Sequence, residues 1–171
     1  FRRVLFRSLI YTLLTILIQQ TLFAQCNSGN VTISGNSLIT GSCKITGDLT
    51  ILNGATLNVD LTSAAPDTFV VQGNILIQGS GILWVHAAVG STGEQFIVSN
   101  SYNNQRTITT NGSGKIQLEN IEFRTQEGNL TGASSIYMNY NANDSSIFYV
   151  SHCTLNTQTA WVLFNLFNKA T

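Results

Sequence analysis

IQLENIEFRT at 116–125 returns 32 positions later as FYVSHCTLNT at 148–157, and the two stretches match in physical pattern rather than in letters. Apolar residues occupy the same four places: Ile116, Leu118, Ile121 and Phe123 in one copy, Phe148, Val150, Cys153 and Leu155 in the other. In each, the apolar–polar alternation runs with period two, slips by one residue, and resumes. The slip falls at Asn120 and at His152. Successive strand side chains point to opposite faces, so a one-residue slip sends the next set to the wrong face unless the chain bends. Asn and His are among the non-glycine residues that best tolerate positive φ, so both positions are expected to be corners. Their role is assigned to satisfying backbone groups at the bend rather than to catalysis or metal binding.

The same pattern extends upstream. ITGDLTILNGATLNVD (45–60) aligns without a gap on VQGNILIQGSGILWVH (71–86) at an offset of 26. Ile45 meets Val71, Leu49 meets Ile75, Ile51 meets Ile77, Leu57 meets Leu83 and Val59 meets Val85, while Gly47-Asp48 meets Gly73-Asn74 as a shared turn signal. QGSGILWVH (78–86) then becomes NGSGKIQLE (111–119) at an offset of 33, which runs into the opening unit. Four coils thus join with periods of 26, 33 and 32. Self-similarity at periods of about 20–50 residues marks a repeat architecture, and short β runs broken by Gly and Asn mark a β-solenoid rather than helical repeats. The expected fold is all-β: a parallel β-helix with rungs of 26–33 residues, preceded by a signal peptide.

Composition agrees. Charged residues are 9% of the chain, and Asn, Ser and Thr together make up roughly a third. Such a chain is too apolar and too β-branched for disorder. Three of its eight basic residues, Arg2, Arg3 and Arg7, lie in the first seven positions. No Lys/Arg cluster survives beyond them, which argues against nucleic-acid binding.

Residues 1–8, FRRVLFRS, resemble the in-frame translation of a sequencing-library adaptor and are set apart from the fold. Residues 9–24 read as a signal peptide: Leu9–Ile18 forms the apolar region, and Thr21, Leu22, Phe23 and Ala24 lead to cleavage near Ala24. A membrane span needs about 20 apolar residues, and Gln19-Gln20 interrupts this run, so no span is expected in the mature chain. The protein is expected to be secreted or held on the outer cell surface. Cys26 and Cys43 lie in the first coil, where an oxidising compartment favours a disulfide that staples this end. Cys153 takes the inward slot of Ile121 and reads as a small buried hydrophobe. No Cys or His spacing suits zinc, and no metal or cofactor is expected. The strand-like TAWVLFNLFN (159–168) runs into Lys169-Ala170-Thr171 without a capping element. Residues 25–171 are therefore expected to be the N-terminal coils of a longer β-helix, truncated at its C-terminus and followed by further domains.

The NIEF (120–123) and HCTL (152–155) steps, with Asn120 and His152 at the corner, resemble the right-handed parallel β-helix, or pectin-lyase-like, family over roughly residues 30–168. The front end, GDLTILNGATLNV (47–59) after a signal peptide, is similar to secreted surface proteins of Gram-negative bacteria, including those with a detachable C-terminal sorting domain. The family includes lyases, hydrolases and non-catalytic adhesins, so it implies architecture and not activity. Its lyases use clustered Asp for calcium with Arg or Lys as base. Here Asp48, Asp60, Asp67 and Asp144 are dispersed.

Stacking the coils creates columns of outward residues. One reads Asn58, Trp84, Gln117, Tyr149, and its neighbour reads Asp60, His86, Glu119, Ser151. With rungs about 4.8 Å apart, exposed aromatics beside hydrogen-bonding groups suit sugar rings. Trp84, His86, Gln117, Glu119 and Tyr149 are the candidate ligand-binding residues. A sharper version pairs Asp60 and Glu119 as acid and base around His86, at about the carboxylate spacing of an inverting glycosidase. A second candidate surface is the segment between His86 and Thr107, with an extra strand at Gln95–Ser99 and a polar tip at Ser101–Gln105. The expected function is a non-catalytic, adhesin-like β-helix segment that binds polysaccharide or cell-surface glycan. The alternatives are a structural spacer, or the first coils of a polysaccharide lyase or glycoside hydrolase whose catalytic rungs lie beyond Thr171.

Overall fold

The computed structural model describes residues 26, 29–62, 66–98, 106–125, 136–143, 145–156 and 160–167. They form sixteen strands: β1 (Val31–Ile33), β2 (Asn36–Thr40), β3 (Cys43–Ile45), β4 (Leu49–Ile51), β5 (Thr56–Asp60), β6 (Thr68–Val71), β7 (Ile75–Gln78) and β8 (Ile82–His86). There follow β9 (Gln95–Val98), β10 (Arg106–Asn111), β11 (Lys115–Glu119), β12 (Glu122–Arg124), β13 (Ile136–Asn143), β14 (Ile147–Ser151), β15 (Thr154–Asn156) and β16 (Ala160–Phe167). There is no helix among the described residues.

Each strand pairs with the strand three places on. The first sheet runs β1-β4-β7-β10-β13-β16, the second β2-β5-β8-β11-β14 and the third β3-β6-β9-β12-β15. All of these pairings are parallel. A chain that repeatedly returns to lie parallel on its own earlier strands is wound. The protein is a β-solenoid of three-strand coils.

The register inferred from sequence is the one observed. Leu49 pairs with Ile75, Ile51 with Ile77, Leu57 with Leu83, Val59 with Val85 and Ile45 with Val71. In the second sheet Asn36 pairs with Thr56, Thr56 with Ile82, Ile82 with Lys115 and Lys115 with Ile147, so rung lengths are 20, 26, 33 and 32. The first coil, β1–β3, is thus shorter than the 26–33 range expected. One expectation needs correcting. The strand at 95–98 is no extra element: Gln95–Val98 pairs with β6 on one side and β12 on the other as an ordinary rung of the third sheet. The tip at 101–105 lies outside the described residues.

Inward residues stack in columns that fill the bore. The first sheet contributes Val31, Leu49, Ile75 and Ile108, and the second contributes Ile39, Val59, Val85 and Leu118, all buried. The third contributes Cys43, Phe69, Phe96 and Phe123 in one column. Phe96 stacks on Phe69 with ring centroids 5.4 Å apart and tilts against Phe123 at 5.3 Å.

Corners are fixed by particular residues. Between the second and third sheets, coils one, four and five turn in two residues, beginning with Gly41 (φ 75°), Asn120 (φ 56°) and His152 (φ 53°). The period slip at Asn120 and His152 is therefore a left-handed corner, and Gly41 makes the same bend a glycine usually makes. Asn120 Nδ2 also donates to the carbonyl of Ala87 on the rung before (3.2 Å), so its side chain satisfies a backbone group there. Between the third and first sheets, a side chain from one rung caps the next. Asn30 Oδ1 accepts from Asp48 N (2.9 Å), Asp48 Oδ1 from Asn74 N (2.6 Å), and Asn74 Oδ1 from Thr107 N (3.0 Å). A Cβ at Gly47 or Gly73 would collide with the backbone of the preceding rung, which is why both are glycine.

Asn120→Val should destabilise the protein by about 1–2 kcal/mol, the penalty of a branched side chain in left-handed backbone. Asn120→Gly, which keeps the corner and loses only the Ala87 bond, should stay within about 1 kcal/mol of wild type. Urea denaturation of the two variants checks the order, and equal stabilities would contradict a corner role.

Candidate functional site

The outward columns of the second sheet form as expected from the alternation. Asn58, Trp84, Gln117 and Tyr149 are successive pairing partners, and so are Asp60, His86, Glu119 and Ser151. The first coil extends both columns, adding Leu38 below Asn58 and Thr40 below Asp60. These residues alternate with the buried Leu57, Val59, Leu83, Val85, Ile116 and Leu118, so core packing holds the outer face in register.

Within that face the side chains interact across columns. The Trp84 indole lies against the His86 imidazole, with centroids 4.4 Å apart and planes tilted by 33°. His86 Nε2 donates to Asn58 Oδ1 at 2.9 Å, because an amide oxygen can only accept. Nδ1 faces Asp60 Oδ1 at 4.0 Å. Asp60 Oδ1 also accepts from Thr62 N (3.1 Å), so this carboxylate is committed to the backbone turn after β5. Tyr149 is 47% exposed, whereas the indole nitrogen of Trp84 is covered and has no hydrogen-bond partner. Leu38 and Ile147 are also exposed on this face. The result is a ribbon of apolar and aromatic surface beside amide, imidazole and carboxylate groups. Asp60 and Glu119 stand two rungs apart, about 9–10 Å along the sheet.

Cys26 and Cys43 form a disulfide with a Cα–Cα distance of 5.1 Å. Cys153 is a free thiol packed against the core, with Sγ 3.3 Å from the Ser151 carbonyl. Among the described residues no group of three or more His, Cys, Asp or Glu is arranged to hold a metal ion, and no helix is long and apolar enough to cross a membrane.

The segment between His86 and Thr107, the second candidate surface read from sequence, does line a groove, but its partners from the next two coils were not foreseen. The connection at 87–94 overhangs the corners of the next two coils and leaves a groove of about 410 Å³. Glu94, Asn120, Glu122, His152 and Thr154 line it together with Ser91 and Thr92. Both oxygens of Glu122 are held, by Gln95 Nε2 (2.9 Å) and Asn156 Nδ2 (2.7 Å), and His152 Nδ1 lies 2.8 Å from Ser151 Oγ. Linear separation hid this grouping, since Glu94 and His152 come from different coils.

No family model matches this chain, and comparison with curated proteins and with solved structures finds no match. The solenoid assignment rests on its own strand register.

Proposed function

We propose that this chain is a segment of a secreted or surface-held β-solenoid protein, adhesin-like and non-catalytic, whose second-sheet face binds glycan. The support is the register that sets Asn58–Trp84–Gln117–Tyr149 beside Asp60–His86–Glu119–Ser151 on one outer face. Sugars present an apolar ring face edged by hydroxyls. An aromatic such as Tyr149 covers the former, and carboxylates and amides one rung away bond the latter. The regular rung spacing suits an extended chain of repeating units, each meeting a similar set of groups. The resemblance to pectin-lyase-like β-helices and to exported bacterial surface proteins belongs to the same proposal.

Affinity electrophoresis against a panel of soluble polysaccharides tests it. Binding to at least one is expected, and Tyr149→Ala should weaken it about tenfold, on the order of 1.4 kcal/mol. Trp84→Ala should weaken it more, because removing the indole also frees His86. Unchanged migration of wild type across the panel, or full retention in both variants, would remove the proposal. Release of reducing ends or unsaturated products during the same incubation would replace it with an enzymatic role for Asp60 and Glu119.

A further inference from the structure

The connection between the second and third sheets is two residues long in coils one, four and five, but eight residues long at 87–94. Its last residue, Glu94, stands directly before β9, as Ile121 stands before β12 and Cys153 before β15. Glu122 N donates to the Glu94 carbonyl (2.8 Å) and Thr154 N to the Ile121 carbonyl (3.1 Å), so the three are equivalent places on successive rungs. Ile121 and Cys153 pack against the core. The slot therefore suits an apolar side chain, and coil three fills it with a carboxylate. Coil two also has an acid there, but Asp67 Oδ1 accepts from Ser42 Oγ of the first coil (2.9 Å). Glu94 has no such partner. It is 6% exposed, its Oε2 is covered without a hydrogen bond, and it makes no ion pair among the described residues. Ile121, which follows it in register, has no donor in its side chain. A buried carboxylate is costly unless a positive or donor group meets it.

Glu94 is also a wall of the groove beneath the 87–94 connection. A volume of about 410 Å³ is within the range of small-molecule sites, and at about 30 Å³ per water it is the space of about a dozen non-hydrogen atoms. No lysine or arginine lines it. Glu122 is already committed through both of its oxygens, so Glu94 carries the unmatched charge. Around it stand groups that can still bond a guest. His152 is exposed and engages Ser151 Oγ through Nδ1, which leaves Nε2 to meet a ligand. The hydroxyls of Thr92 and Thr154 are on exposed residues. Ser91 Oγ donates to the Ala88 carbonyl (2.7 Å) and keeps lone pairs that can accept. Val89, 90% exposed, adds an apolar lip.

We propose that this groove binds a small hydroxylated organic ammonium ion, an amino sugar, whose positive charge offsets Glu94. A bare cation would answer the charge and leave the hydroxyls and imidazole unused. A neutral sugar would do the reverse. An amino sugar answers both, with its ammonium on the Glu94 side, its hydroxyls on His152, Thr154 and Ser91, and its apolar ring face on Val89. Hydrogen bonds that involve an ionised group are roughly twice as strong as neutral ones, so the ammonium sets the affinity and the hydroxyls the selectivity. The groove lies at the corner after the second sheet and does not rest on glycan binding by that sheet's outer face.

Calorimetric titration of the chain with glucosamine at neutral pH decides it. One molecule should bind per chain with Kd on the order of 10⁻³ M, the value that about a dozen atoms give at ordinary ligand efficiency. Glucose lacks the amine, N-acetylglucosamine has a neutral amide in its place, and propylammonium carries the charge without the ring. Each should bind about tenfold more weakly than glucosamine, or worse. Glu94→Gln, which keeps the shape and removes the charge, should weaken glucosamine about tenfold and abolish its advantage over glucose. His152→Asn, which tolerates the left-handed corner, and Thr154→Val should each weaken it by about three- to tenfold. Asp48→Asn, which removes a carboxylate elsewhere and keeps its Oδ1 acceptor, should leave the affinity unchanged. If Glu94→Gln fails to fold, the ligand series on wild type and His152→Asn carry the test. No binding at about tenfold above the expected Kd, equal binding of glucose, or undiminished affinity in the variants would overturn the proposal. Equal binding of propylammonium would overturn it too, leaving a seat for any ammonium, a lysine side chain included. Polysaccharide retention that depends on Tyr149 is a separate measurement and bears on the outer face alone.

Discussion

Phe96→Ala is expected to destabilise the solenoid by about 3–5 kcal/mol, among the largest losses available to a single truncation. The ring is fully buried and is the middle member of the Phe69–Phe96–Phe123 column. Truncation removes its transfer free energy and opens a cavity. It also abolishes two aromatic contacts, at 5.4 Å and 5.3 Å, each worth about 0.5–1.5 kcal/mol beyond burial. The rungs above and below cannot close the gap, because backbone hydrogen bonds set their spacing at about 4.8 Å. Phe69→Ala loses one of these ring contacts instead of two, and should be milder by about 1 kcal/mol. Phe96→Leu, which keeps much of the volume, should fall well below either. Urea denaturation followed by far-UV circular dichroism measures the series. A loss below about 1.5 kcal/mol for Phe96→Ala would mean that the column is not closely packed.

That column also shows where sequence reading stopped. Between residues 45 and 60 and again from 71 to 86, apolar residues recur at one offset of 26, so the first two sheets could be registered by a gapless alignment. The third sheet keeps a different rhythm. Thr68 pairs with Gln95 and Gln95 with Glu122, both at offsets of 27, while the second sheet steps by 33 over the same turn. The variable connections at 87–94 and 99–105 absorb the difference. Phe69, Phe96 and Phe123 therefore never fall into one alignment, and the strand at 95–98 read as an addition. The first coil escaped for a similar reason: its rung of 20 residues follows no later period, and β2 buries only Ile39 among its five residues.

The candidate face divides along the same line. Which residues share a column follows from period two and rung stacking, so Trp84, His86, Gln117, Glu119 and Tyr149 could be grouped from letters alone. How they pair across columns depends on side-chain rotamers. The bond from His86 to Asn58, and the use of Asp60 by Thr62, had no sequence signal.

Breaking the Cys26–Cys43 disulfide should destabilise the protein by about 3 kcal/mol, the loop-closure value for a separation of 17 residues. The bond ties the chain ahead of β1 to the first residue of β3, so it encloses the first two strands of the first coil. That coil has few other supports: β1 and β3 are three residues each, and each pairs with a neighbour on one side only. In a solenoid, stability is roughly a sum over rungs and their interfaces, so loss at one end need not unfold the other. Cys26→Ser should therefore raise amide exchange in β1, β2 and β3 far more than in β8 or β11. The Asn30–Asp48 cap lies beside the loosened segment and should weaken with it. Cys43→Ala should cost more than Cys26→Ser, because Cys43 is buried below Phe69 and leaves a gap in that column. Reductant should reproduce the Cys26→Ser result in wild type and do nothing further to the variant. If exchange in β1–β3 is unchanged by either treatment, the bridge is not what holds the first coil against the second.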